Sequence, residues 1–157
     1  MENTNIIYKN KKYTDLLEKL EDLEKDRFFC KHDFQHFLDV ARLMYIFVLE
    51  EDLSFSKDMI YSTAILHDIG RVWEYEKGIN HDDASVDIAK ELLVETNFSD
   101  DEKEKILLAI SSHRKKSTDV FASLFYKADK LSRACYRCPA YDQCYWSEEK
   151  KNKRIII

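Results

Sequence analysis

Residues 64–71 read AILHDIGR. An apolar helical run ends here on a histidine and an aspartate side by side, and a glycine then cuts it off. Both polar groups are costly to bury unless something satisfies them. Helical phase nevertheless turns His67 inward, because it lies three residues after Ala64, four after Thr63 and seven after Ile60. The pair therefore needs a partner that the local sequence does not supply.

Working outward, the segments on either side also read as helices. Ser56 can N-cap a helix running through Asp68, with Gly70 suiting its exit. Lys11–Lys25 carries the stripe Leu16, Leu17, Leu20 and Leu23. The segment Asp33–Glu50 repeats Phe37, Val40, Ala41, Met44 and Val48 at helical spacing. Downstream, HDDASVDIAKELLVET (81–96) predicts a helix capped by Asp82 or Asp83. SDDE (99–102) is a capping box opening a helix through about His113, and STDVFASLFYKADKLSR (117–133) gives another. Among 157 residues there are two glycines and one proline, too few turn formers for a β-rich fold. The expectation is an all-α, single-domain bundle of about six helices over residues 1–134. An irregular cysteine-bearing tail, 135–157, packs on the same domain.

The net charge of −5 has both signs dispersed, which argues against a dedicated nucleic-acid surface. No stretch approaches the roughly 20 apolar residues of a membrane span, and the N-terminus has no signal-peptide core. A cytoplasmic location is expected, and self-association into a homo-oligomer stays open.

The remaining histidines repeat the pattern of His67. His36 lies beside the stripe containing Val40 and Leu43. His81 opens the face continued by Ser85, Ile88 and Leu92, and His113 follows Ile106 and Ile110. Asp129 borders the apolar side that holds Ala122 and Phe125. Each alone reads as a satisfied core residue. Together, four helices turning a histidine inward would cost several kcal/mol (on the order of) without a common partner. Imidazole and carboxylate suit a divalent metal such as Fe, Mn, Co or Zn.

The ordered set HFLDVA (36–41), LHDIGR (66–71), HDDASVDIAKELL (81–93), ISSH (110–113) and ADKLSR (128–133) resembles the HD-domain metal-dependent phosphohydrolases. The resemblance implies that His36, His67, Asp68 and Asp129 hold one metal, and that Asp68 bridges to a second held by His81 and His113. It implies two divalent ions, drawn from Fe, Mn, Co, Ni, Zn or Mg. The activity implied is that of a phosphatase or phosphodiesterase acting on a nucleotide or small phosphoester through a metal-activated water. Asp68, Arg71 and Lys130 are the expected catalytic residues. Arg114, Lys115, Lys116 and Arg133 are further basic neighbours. Two other readings stand beside this one: a di-iron oxygenase of the same fold, and a non-catalytic metal or redox sensor.

That sensor reading draws on the tail. In CYRCPAYDQC, Cys135, Cys138 and Cys144 are spaced C-x2-C-x5-C, and the remaining cysteine is Cys30, six residues before His36. Four thiols can hold a structural zinc or an iron–sulfur cluster, or they can simply be free. His32 reads as an exposed residue at a helix start, the alternatives being a place beside the metal ligands or in place of one thiolate.

Overall fold

The structure, a computed structural model, describes residues 1–115 and 117–155. Its regular elements are helices: α1 (Glu2–Lys9), α2 (Lys11–Glu24), α3 (Phe34–Glu50), α4 (Lys57–Leu66), α5 (Arg71–Lys77), α6 (His81–Leu93), α7 (Asp100–Ser112) and α8 (Val120–Leu131). Two 3-10 turns, Cys135–Arg137 and Tyr141–Gln143, follow. The described residues contain no strand, and none of their helices is long and apolar enough to cross a membrane.

Helix α4 is the axis of the bundle. Met59, Ile60, Ser62, Thr63, Ala64, Ile65 and Leu66 are all buried, so the helix is covered on every side rather than along one stripe. Helices α1, α3 and α7 pack against it, and α8 closes the ring by packing on α3 and α7. Its polar side chains are satisfied locally. Thr63 Oγ1 donates to the Met59 carbonyl at 2.8 Å, and Ser62 pairs with Thr4 at 3.1 Å. The carbonyl of Ile65, near the helix end, accepts from the Tyr13 hydroxyl at 3.0 Å. Helix α2 thereby fixes the level at which the HD dipeptide leaves α4.

The capping chemistry of α3, α4, α7 and α8 follows the sequence. Asp33 accepts from the His36 amide, Ser56 from Met59 and Asp119 from Ala122, and Ser99 and Glu102 form a reciprocal capping box. The predicted apolar stripe of α3 is buried throughout.

Three expectations change, and one helix, α1, stands outside them. Helix α1 has no local side-chain cap; Asp58 of α4 accepts from the amides of Asn3 (2.9 Å) and Thr4 (2.8 Å) instead. Helix α6 is capped by Asn80, whose side chain accepts from the Asp82 amide, and not by Asp82 or Asp83. On α2 the buried face is Tyr13, Leu17, Leu20 and Glu24, and Leu23 points to solvent. Finally, α4 stops at Leu66, and the chain passes through one turn directly into α5. Gly70 is thus no helix exit, and its φ of −67° demands no glycine. It is needed for space, since a Cβ there would lie 2.3 Å from the Ser85 amide nitrogen and 2.5 Å from the His81 carbonyl oxygen. The Gly70 amide donates to Ser85 Oγ at 2.9 Å, drawing α6 against the HD turn.

Candidate metal centre

Five helices or their ends deliver the six residues singled out from the sequence to one place. His36 comes from the first turn of α3, His67 and Asp68 from the turn after α4, and His81 from the first residue of α6. His113 caps α7, and Asp129 lies in the last turn of α8. All but His36 are at most 3% exposed, and His36 is partly buried. Their ligand atoms fall into two sets, each lying within 4.8 Å: His36, His67 and Asp129, and Asp68, His81 and His113.

Asp68 stands between the sets. Its Oδ2 is 3.2 Å from His67 Nε2, and its Oδ1 is 3.5 Å from His81 Nε2 and 3.6 Å from His113 Nε2. His36 Nε2 lies 3.6 Å from Asp129 Oδ1.

The histidine tautomers follow from their other nitrogens. His67 Nδ1 sits 2.7 Å from the Ala64 carbonyl and His113 Nδ1 faces that of Ile110; a carbonyl only accepts, so both Nδ1 atoms carry hydrogen. His81 Nδ1 is 2.9 Å from the Glu74 carboxylate and donates likewise. Each Nε2 is left with a lone pair aimed into the cluster. The Nε2 atoms of His36, His67 and His81 are buried without a hydrogen-bond partner. Orphaned buried acceptors are rare in a finished core, and here they point at one another's neighbourhood. A cation satisfies such an array, so this donor set fits a divalent metal.

Burial alone would push the Asp68 carboxyl up, but His67, Arg71 and His32 outweigh it and hold it well below the usual carboxylate range. Asp129 is likewise driven down despite burial, chiefly by Lys130 and Arg133. Burial, reinforced by His67, lowers His36 to about 3, so its ring is neutral at physiological pH, the state that ligates.

Arg71 and Lys130 line the same cleft, of about 280 Å³, and both are committed to its carboxylates. Arg71 donates to Asp68 Oδ1 at 3.1 Å and to Glu74 at 3.3 Å, while Lys130 donates to Asp129 at 2.5 Å. Arg133 differs. Its guanidinium stacks 3.9 Å over the Trp146 ring, and its Nη1 is buried and unpartnered. Arg114 also lines the cleft; Lys116 lies outside the described residues.

Three features were missed in the sequence. Asp82 Oδ1 lies 3.0 Å from His81 Nε2 and 3.4 Å from His113 Nε2 and has no hydrogen bond; its place beside a histidine was the signal, masked by its reading as a cap. Glu74 sits on α5, a helix the sequence reading did not include. His32 is buried rather than exposed, because Glu24 accepts both its backbone N–H (2.7 Å) and its Nδ1–H (2.9 Å). Its Nε2 comes within 3.8 Å of Asp68.

The cysteines are all free thiols: Cys30 is exposed, and Cys135, Cys138 and Cys144 are half-buried. No three of their sulfurs lie within 4.8 Å of one another.

An all-helical bundle with buried histidines and aspartates gathered around an HD dipeptide defines a class. The HD domain family model matches residues 33–134, and the chain belongs to that family. A protein of Clostridium beijerinckii, itself described as uncharacterized, is 46% identical over 155 residues, spanning 99% of both chains. The crystal structure of a predicted HD superfamily hydrolase from an uncultured Thermotogales bacterium is similar with a TM-score of 0.67. That match covers 96% of this chain and 79% of the other at 24% identity, a likeness of fold.

Proposed function

We propose that the protein is a metal-dependent phosphohydrolase acting on a small phosphoester, with a nucleotide the favoured substrate. The observation that carries the reading is the position of Asp68, one oxygen toward His67 and the other toward His81 and His113, with the Nε2 atoms of His36, His67 and His81 lacking partners. His36, His67, Asp68 and Asp129 would hold one cation, and Asp68, His81 and His113 the second, with Asp82 within reach of the latter pair. Two such ions, when bound, lower the pKa of a water and neutralise charge developing at phosphorus.

The chain's own groups supply the rest. Arg71 anchors Asp68 and Glu74, and Glu74 anchors the His81 ring, so one short helix orients the second set. Lys130 and Arg133 keep Asp129 ionised. Arg133 lines the cleft and keeps one N–H group, at Nη1, buried without a partner, a donor suited to a phosphate oxygen. Phe29, Tyr145 and Trp146 line the same cleft, and this aromatic wall beside cations favours a base attached to a phosphate.

Purified protein supplied with Mn or Co is expected to release phosphate or a monoester from a panel of nucleotides and simple phosphoesters. Absence of turnover across that panel, with two metals bound per chain, rejects the reading.

A further inference from the structure

The tail beyond α8 holds a definite shape with almost no core of its own. From Cys135 to Ile155, Ala140 is the single buried residue, yet the segment makes two 3-10 turns and returns to the bundle. The Asn152 side chain donates to the carbonyls of Lys130 and Arg133, both at 2.8 Å, and Tyr145 packs edge-on against Phe29 with centroids 5.7 Å apart. Ordering that length of chain costs conformational entropy at every residue. Such poorly buried segments are normally fastened by a cross-link or a metal.

All four cysteines of the chain meet at this seam. Cys30, on the loop between α2 and α3, lines one cleft with Cys135 and Cys138 and shares the His–Asp cleft with Cys144. The turns present the tail sulfurs, with the Cys138 amide donating to the Cys135 carbonyl (3.0 Å) and the Cys144 amide to that of Tyr141 (3.3 Å). Desolvation raises the Cys30 thiol, Arg133 opposes this, and Cys135, Cys138 and Cys144 push it further up. Lys31, Arg133 and Arg137 line the cleft beside the cysteines and offset thiolate charge.

The sulfur spacing weighs against a single zinc. A single tetrahedral zinc, with Zn–S of about 2.3 Å, draws four sulfurs to within about 3.8 Å of one another. In a cubane cluster each sulfur binds a different corner, and the thiolates stand about 6 Å apart. Here Cys30 shares a cleft with each of the three tail cysteines, and no three of the four sulfurs lie within 4.8 Å of one another, a wider set than a single zinc draws together.

We propose that Cys30, Cys135, Cys138 and Cys144 hold an iron–sulfur cluster that fastens the tail to the α2–α3 loop as one wall of the His–Asp cleft. Each thiol gives up its proton on ligation. Iron and sulfide come from outside the chain. The assignment is independent of what the His–Asp centre hydrolyses.

The test uses the full chain, purified anaerobically and reconstituted with ferrous salt and sulfide. Acid-labile sulfide is the deciding readout, since the His–Asp centre can take iron but not sulfide. Wild type is expected to retain about two or about four sulfides per chain, with iron at least equal to sulfide, and a broad visible absorption. A His36→Ala/His81→Ala variant keeps that sulfide and Cys138→Ser loses it. Stripping the cluster by oxidation speeds proteolytic cleavage in the tail by at least about tenfold. A reconstituted wild type without labile sulfide overturns the proposal, whether its thiols are free or hold zinc, and needs no variant to fold. Full sulfide retention in Cys138→Ser overturns it equally.

Discussion

Asp68 Oδ2 lies 3.2 Å from His67 Nε2, while its Oδ1 faces His81 and His113 at 3.5 and 3.6 Å. One carboxylate therefore serves two ligand sets, and a single atom can be changed to separate them. Asp68→Asn keeps the volume and the Arg71-facing oxygen but puts an N–H donor against one of the two sets. Metal content is expected to fall from two ions to one or none per chain, with turnover reduced at least about a hundredfold. Both are read on the same preparation by elemental analysis and phosphate release. A variant holding two metals with unchanged turnover contradicts the bridging role.

Glu74 touches no other member of the cluster, yet it fixes the His81 ring through Nδ1 at 2.9 Å and holds Arg71 at 3.3 Å. Removing the carboxylate that orients a metal-binding histidine ordinarily costs about 10–100-fold in metal affinity. Glu74→Ala should weaken one of two metal-binding events by that factor and leave the other within about twofold, as resolved by calorimetric titration. Equal weakening of both events would show that Glu74 acts through general destabilisation.

Arg133 is the cation of the cleft with a buried, unused donor. A charge-assisted hydrogen bond to substrate contributes about 1.5–3 kcal/mol, which corresponds to about 10–100-fold in affinity. Arg133→Ala is expected to raise KM by that factor while kcat changes less than about threefold, and Arg133→Lys to recover part of the loss. A fall in kcat at constant KM points instead to its contact with Asp129, 3.8 Å away.

What the sequence disclosed and what it hid divide along a physical line. The convergence of these six residues was readable because helical phase is local: one face of α3, α6, α7 and α8 is set by residues within two turns. Helix α1 was hidden because its N-terminal amides are capped by Asp58, across the fold. Helix α5, with a single buried residue in seven, carries too little apolar periodicity to announce itself, and Glu74 disappeared with it. His32 looked exposed because the group that buries it, Glu24, sits on the previous helix, eight residues away in sequence.

Gly70 tests the closeness of α6 to the HD turn. A Cβ there meets backbone at 2.3 and 2.5 Å, so relief requires moving α6 and His81 with it. Gly70→Ala should cost about 3 kcal/mol or more, a fall in Tm of roughly 6–12 °C for a chain of this size, together with loss of metal. Gly78→Ala is the control. Gly78 has open space and φ of +69°, so that variant pays only the left-handed penalty of about 1 kcal/mol and keeps its metal. Similar losses at both positions would mean that backbone conformation, not contact, sets the need for glycine.

Glu24 and His32 make stability depend on acid. Burial raises the Glu24 carboxyl, but N–H donation from the His32 ring and backbone and O–H donation from Tyr75 prevail and hold it at about 2, against an ordinary 4.5. A depressed carboxyl stabilises the fold fully above about pH 4.5 and loses that contribution as pH falls toward about 2. Burial also lowers His32, so the unfolded chain takes up its proton first and stability begins to decline below about pH 6.5. Glu24→Gln removes the first contribution, at most about 3 kcal/mol at neutral pH. Urea unfolding of both proteins in the same metal-free buffer should give the full stability gap at about pH 7, with no narrowing down to about pH 5, because Glu24 also supports the His32 ring. Below about pH 4.5 the gap should narrow steadily. A gap that stays constant down to about pH 3 would mean that Glu24 contributes through packing and not through its charge.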